Sequence, residues 1–97
     1  MREYEVTIII KPNLDDDSRN ELIERVGGWL TPDEEAAHKP VVNQWGQRKL
    51  AYPINNYRDG YYVFYDATME PRRMVDVERE ILYVEDILRH LVVRKDE

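Results

Sequence analysis

Trp45–Gly46–Gln47–Arg48–Lys49–Leu50–Ala51–Tyr52–Pro53–Ile54, followed by a turn and then Tyr61–Tyr62–Val63–Phe64–Tyr65, is the stretch that decides the fold. It reads as strand, turn, strand. The aromatic and β-branched run at 61–65 is strongly strand-forming. Asn55 to Gly60 reads as the turn, because Asn, Asp and Gly tolerate turn dihedrals. In the first of the two strands, Gly46 signals a bulge or a close backbone approach. Pro53 confines that strand to a sheet edge or marks its end. Arg48 and Lys49 are adjacent cations beside the aromatic Trp45. Such an edge suits an anionic ligand or another chain.

The flanking segments complete the pattern. Tyr4, Val6, Ile8 and Ile10 alternate with Glu3, Glu5, Thr7 and Ile9, the period of two of a strand with one face buried. Pro12–Asn13 ends it. Asp15, Asp16 or Asp17 then offers a helix N-cap, and acids suit the positive end of the helix dipole. Leu22, Ile23, Val26 and Leu30 recur at helical spacing, so a helix is expected from about Asp15 to Leu30. Gly27–Gly28 should weaken its end, at about 1 kcal/mol each relative to Ala. Thr31 to Pro40 is polar and acidic and reads as a loop, and Val41 to Ile54 is the second strand. After the aromatic third strand, Glu70–Pro71 starts a second helix, with Pro suited to the first helical position. Met74, Val77 and Ile81 form its apolar stripe. Ile87 to Val93 is a final strand. The order β-α-β-β-α-β defines an α+β, ferredoxin-like fold: a four-stranded antiparallel sheet with two helices on one face. The whole of 1–97 reads as one such domain, without repeats or linkers.

Parity predicts what the uncovered face of the sheet carries. If Tyr4, Val6 and Ile8 meet the helices, then Ile9, Tyr62 and Phe64 look away from them. The last strand adds either Leu91 with Val93 or Val92 with His90. Large apolar groups would then stand among Glu3, Glu5, Thr7 and Asp66. A contiguous apolar patch on a small domain marks an interface; scattered exposed aromatics without a role are the ordinary alternative. Leu50, Tyr52 and Ile54 are expected in the core, and Trp45 fits either a lid on the core or a contact residue.

Ninety-seven residues with 42% hydrophobic content can bury a modest core. Cysteine is absent, which removes disulfide and thiolate chemistry and fits a reducing compartment. The start is too charged and its apolar run too short for a signal peptide, and no stretch approaches a membrane span. A cytoplasmic protein without a membrane partner is expected. The formal charge of −6, from 20 acids and 14 bases, opposes unaided binding to a phosphate backbone. Cations nevertheless cluster at Arg48–Lys49, Arg72–Arg73, Arg89–His90 and Arg94–Lys95. That balance points to limited RNA contact together with a protein partner.

Catalytic chemistry finds no support. Ser18 is the single serine and sits at an acidic helix start, where capping is its better role. His38 and His90 have no Cys to complete a zinc set. Asp15–Asp17 and Asp33–Glu35 follow no calcium-loop spacing, and no Gly-rich phosphate loop is present. No metal, cofactor or small-molecule substrate is therefore expected. Three rival readings remain. A small acylphosphatase would need an anion-binding group in the loop Lys11–Pro12–Asn13–Leu14, where three aspartates follow at once. A free-standing RNA reader of the RRM type would stack bases on Tyr62 and Phe64, but its basic, Gly and aromatic motif is missing. A homodimeric regulatory domain could pair through sheet faces or edges.

The opening Met1–Arg2–Glu3–Tyr4–Glu5 and the Trp45-to-Ile54 segment together resemble the bacterial ribosomal protein S6 family. In that family an MR-x-YE start and a WG-x-R-x-LAYPI segment sit on neighbouring strands. The aromatic strand after Gly60 and the Arg89-to-Arg94 strand extend the likeness over most of the chain. The resemblance implies a structural, non-enzymatic component of the small ribosomal subunit, acting in the cytoplasm. It implies binding to the central domain of the small-subunit rRNA as a heterodimer with ribosomal protein S18, a basic partner. Matched residue by residue, it puts Arg2, Arg48 and Lys49 among the RNA- or partner-facing cations, with Arg89, Arg94 and Lys95 as further candidates. Ile9, Tyr62 and Phe64 are the partner-facing groups of the open sheet. For every cation the ordinary alternative is a solvated surface charge. Two departures stand out. Gly27 to Pro40 does not follow the family's usual entry into the second strand. The sequence also stops at Glu97, so contacts made by longer tails in the family are expected to be missing.

Overall fold

Strict alternation in two segments builds the centre of the sheet. The computed structural model describes residues 1–31 and 39–95. Its elements are β1 (Arg2–Ile10), α1 (Asp16–Trp29), β2 (Val41–Ile54), β3 (Tyr57–Met69), α2 (Pro71–Leu82) and β4 (Ile87–Arg94). The strands form one sheet in the order β2-β3-β1-β4, with every neighbouring pair antiparallel. This is the ferredoxin-like arrangement expected from the element order. β1 and β3 take the centre, with Tyr4 opposite Ala67, Val6 opposite Tyr65 and Ile8 opposite Val63. All six side chains are buried, so one face of each strand makes the floor of the core. Among the described residues, no helix is long and apolar enough to cross a membrane.

Both helices cover that floor. The Asp15 carboxylate accepts the backbone N–H of Ser18 at 2.7 Å and caps α1. The cap therefore falls to Asp15, and Ser18, which the sequence suggests as a capping residue, supplies the donor. Hydrogen bonding from Ser18, aided by the nearby Arg19 charge, holds the Asp15 carboxyl below its ordinary range. Leu22, Ile23 and Val26 face the sheet. Helix α1 runs past Gly27–Gly28 because its end is tied down. The Thr31 hydroxyl donates to the Gly27 carbonyl at 2.9 Å, and the N–H of the fully buried Leu30 donates to Val26 at 3.1 Å. The Tyr65 hydroxyl donates to the Ile23 carbonyl at 2.8 Å and fixes α1 on β3. Burial pushes that phenol's pKa up. In α2, Met74, Val77 and Ile81 form the buried stripe, as the spacing predicts. The acidic stretch Asp33–Glu34–Glu35 and His38 lie outside the described residues.

The β2–β3 hairpin departs from regularity twice. Gly46 takes φ of 86°, a left-handed bulge at which the pairing shifts between Gln44 and Gly46. A second shift lies between the pairs Lys49–Asp59 and Ile54–Tyr57, so that Leu50, Ala51, Tyr52 and Pro53 stand opposite Arg58 alone. The turn is only Asn55–Asn56, both left-handed with φ of 49° and 69°, which matches the backbone of a two-residue hairpin turn. It is narrower than the sequence suggests, because Tyr57 to Gly60 already belong to β3. Leu50 to Asp59 thus form an arm beyond the end of β1. Gly60 at its root has no room for a side chain: a Cβ there would lie 2.3 Å from Ile9 Cγ2 and 3.4 Å from Leu50 Cδ2.

Candidate nucleic-acid and partner interface

The helices leave the other face of the sheet uncovered, and the strand register states what stands on it. From β1 come Glu3, Glu5, Thr7 and Ile9, and from β3 come Tyr62, Phe64, Asp66 and Thr68. The parity of β4 is set by its pairing with β1: Arg89 lies opposite Ile9, Leu91 opposite Thr7 and Val93 opposite Glu5. These three share the open face. Val92, His90 and Arg94 turn to the helix side, where His90 Nε2 lies 3.7 Å from Glu78 Oε2 of α2. On the open face Leu91 is 59% exposed, Val93 45% and Val41 59%, so the apolar surface is accessible. Trp45, 58% exposed, tilts over Phe64 with ring centres 4.5 Å apart. It is a surface group resting on a strand aromatic, not a lid on the core.

Charge divides this face along the strands. Near the start of β1 lie Glu3, Glu5 and Asp66. Lys95 answers them: its Nζ sits 2.9 Å from Asp66 Oδ1, and its backbone N–H donates to Glu3. That hydrogen bond to Asp66, with Glu3 and Glu5 adding, raises the Lys95 pKa. Toward the arm the sign reverses. Arg48 is paired with Gly60 on β3, and its guanidinium carbon lies 5.5 Å from the Trp45 ring centre. Arg89, on the row of Ile9 and Tyr62, donates to the Tyr52 hydroxyl, with its guanidinium carbon 5.3 Å from that ring centre. Both arginines are thus held against exposed aromatic rings, an attractive arrangement that leaves the cations at the surface.

The cations singled out from the sequence fall into two groups. Arg48, Lys49 and Arg89 lie toward the arm. Arg2, paired with Met69, and Arg94, paired with Tyr4, lie at the opposite end and on the helix-side parity. Lys95 shares that end but stands on the open face with Asp66. Of the three apolar groups, Tyr62 and Phe64 are half-buried on the open face. Ile9 has the expected parity but is only 9% exposed, because Leu50 of the arm closes over it at Gly60. It is a buried prop beneath the open face. Tyr52 reverses the other way: expected in the core, it is 54% exposed. Tyr52 lies in the arm beyond the end of β1, where there is no core to enter, and it meets Arg89 on the open-face side instead. Arg58, in the same arm, is a cation that the sequence patterns do not single out. Pro53 is the available signal, since a proline there interrupts the ladder. Lys11, the possible anion-binding group of a phosphatase, is tied to Asp86 at 2.8 Å, a bond that raises its pKa.

A ferredoxin-like sheet with one face under helices and the other open, apolar and split in charge defines a protein that works by docking. Comparison with known proteins gives the family. The sequence model for the family described as Ribosomal protein S6 matches residues 3–94. The small ribosomal subunit protein bS6 of Desulforudis audaxviator (strain MP104C) is 35% identical over 96 residues, covering 99% of this chain and 100% of its own length. The crystal structure of 30S ribosomal protein S6 from Thermotoga maritima superposes with a TM-score of 0.83 at 30% identity, over 97% of this chain and 87% of that one. The chain belongs to the ribosomal protein S6 family. It is a component of the small ribosomal subunit, with its place in the cytoplasmic ribosome, and is not an enzyme.

Proposed function

We propose that the chain binds the central domain of the small-subunit rRNA as a heterodimer with ribosomal protein S18. The observation that carries this reading is the division of the open face. Exposed Leu91 and Val93 stand beside Glu3, Glu5 and Asp66, a surface complementary to a basic partner. Arg48, Lys49 and Arg89 gather at the arm, where phosphate can be met away from Glu3, Glu5 and Asp66. Tyr62 and Phe64 extend the apolar contact, with Ile9 supporting them from beneath. Arg2 and Arg94 serve a separate contact at the far end, and Lys95 organises the acidic end through Asp66.

A chain of net charge −6 gains little from counterion release by itself, so affinity must be shared with the partner. The test is titration of a central-domain rRNA transcript with the purified chain, with purified S18, and with the two together. Weak binding by the chain and strong binding by the pair is expected. Equally tight binding by the lone chain would overturn the cooperative reading. A stable two-chain assembly of this protein that excludes S18 would favour the homodimer instead.

A further inference from the structure

Two cations and an exposed aromatic ring line one concavity in the arm, and a third cation reaches that ring from β4. Where the β2–β3 ladder opens, Lys49, Leu50, Ala51, Tyr52, Pro53 and Arg58 line a shallow concavity of about 160 Å³. That is room for a phosphate group with part of its hydration. Arg89 reaches the same ring from β4 by donating to the Tyr52 hydroxyl. We infer that Tyr52, Lys49, Arg58 and Arg89 form a site for one unpaired RNA nucleotide, its base stacked on Tyr52 and its phosphate held between Lys49 and Arg58.

The inference deepens, and rests on, the reading of this chain as an rRNA-binding protein. Charge selects an anion: Lys49 and Arg58 line a concavity with no carboxylate among its described lining residues, and Arg89 borders it from β4. The ring selects a base. A phosphate alone would need no aromatic group, and a base inside a duplex could not reach one, whereas a splayed-out base stacks readily on tyrosine. Tyr52 is also held in place before any ligand arrives, because Arg89 anchors its hydroxyl across the sheet. A ring already fixed loses less side-chain freedom on binding.

The experiment uses the full chain, purified S18 and a central-domain rRNA transcript. Ultraviolet crosslinking coupled to mass spectrometry should find a nucleotide on the peptide containing Tyr52. Tyr52→Leu should weaken RNA binding by about tenfold, whereas Tyr52→Phe, which keeps the stacking ring and loses only the Arg89 anchor, should lose less than Tyr52→Leu and still crosslink. Arg58→Gln should lower the slope of log affinity against log salt by about one. If the parent pair fails to bind the transcript, the underlying function is wrong. If the parent binds but no crosslink falls within 49–58 and both Tyr52→Leu and Arg58→Gln bind normally, this site alone is wrong. Tyr52→Phe behaving like Tyr52→Leu would mean that the ring acts only through Arg89, and loss of S18 rather than RNA by Tyr52→Leu would give the ring to the protein partner. Either result overturns the inference.

Discussion

Gly60 and Ile9 sit on adjacent central strands with no space for a methyl group between them, since a Cβ on Gly60 would fall 2.3 Å from Ile9 Cγ2. This fit lets Leu50 close over Ile9 and seats the arm on the sheet. Gly60→Ala should therefore destabilise the chain by about 1–3 kcal/mol, the cost of overpacking a filled site. Urea unfolding read by circular dichroism would measure it. Exchange of the amides in 50–59 should also quicken, since the arm loses its seat.

Gly28 offers the opposite case. Nothing lies within 4 Å of the position its Cβ would occupy, in the last turn of α1, where its φ is not positive and glycine costs stability. Gly28→Ala should stabilise by about 0.5–1 kcal/mol. For a domain of this size that corresponds to a rise of several degrees in Tm, readable by calorimetry.

Asp15 sets part of the acid limb. Hydrogen bonding from Ser18 lowers its folded-state pKa below the unfolded value of about 3.9. Its contribution is therefore present above that pH and disappears as pH falls through the folded value. Asp15→Asn keeps a good capping group but removes the titration. Comparing the two proteins by denaturation between about pH 5 and 2 should show a steeper loss for the parent.

Arg48 and Lys49 should report the RNA contact. Changing both to Ala should weaken assembly of the pair on central-domain rRNA and flatten the salt dependence by about one to two units of slope. An unchanged slope would remove them from the phosphate contact. Arg94→Ala, at the far end, should leave the contribution of the arm cations intact.

Tyr65 ties the helix layer to the sheet. Tyr65→Phe removes the 2.8 Å bond to the Ile23 carbonyl while keeping the ring in the core. A loss of about 0.5–1.5 kcal/mol is expected, seen as a lower urea midpoint with an unchanged slope.

Legibility tracks periodicity. From Tyr4 to Ile8 and from Val63 to Met69 the alternation is regular, and Tyr4, Val6, Ile8, Val63, Tyr65, Ala67 and Met69 are all buried on the core side. β4 carries apolar groups on both faces, and only its pairing with β1 shows that Leu91 and Val93 are the open ones. β2 misleads because each of its irregularities resets the parity of the residues beyond it. The pattern also gives no sign that residues 50–59 form an arm beyond β1, which is why Tyr52 is expected in the core and Arg58 goes unnoticed. The end of α1 is legible only in part, since two glycines speak against helix while the burial of Leu30 and the Thr31 bond sustain it. For Ile9 alternation gives the side but not the exposure, because it says nothing of an arm folding back.

The bulge at Gly46 also guards the chain against its own kind. β2 and β4 are the two rims of the sheet, and a straight rim invites a foreign strand to join it. The kinks at Gly46 and Pro53 make the β2 rim a poor template. The β4 rim carries Arg89 and Arg94, whose positive charge discourages a second β4 from aligning there. Concentrated salt should relax that repulsion, so fibrous self-stacking of the purified chain, if provoked, should start at β4.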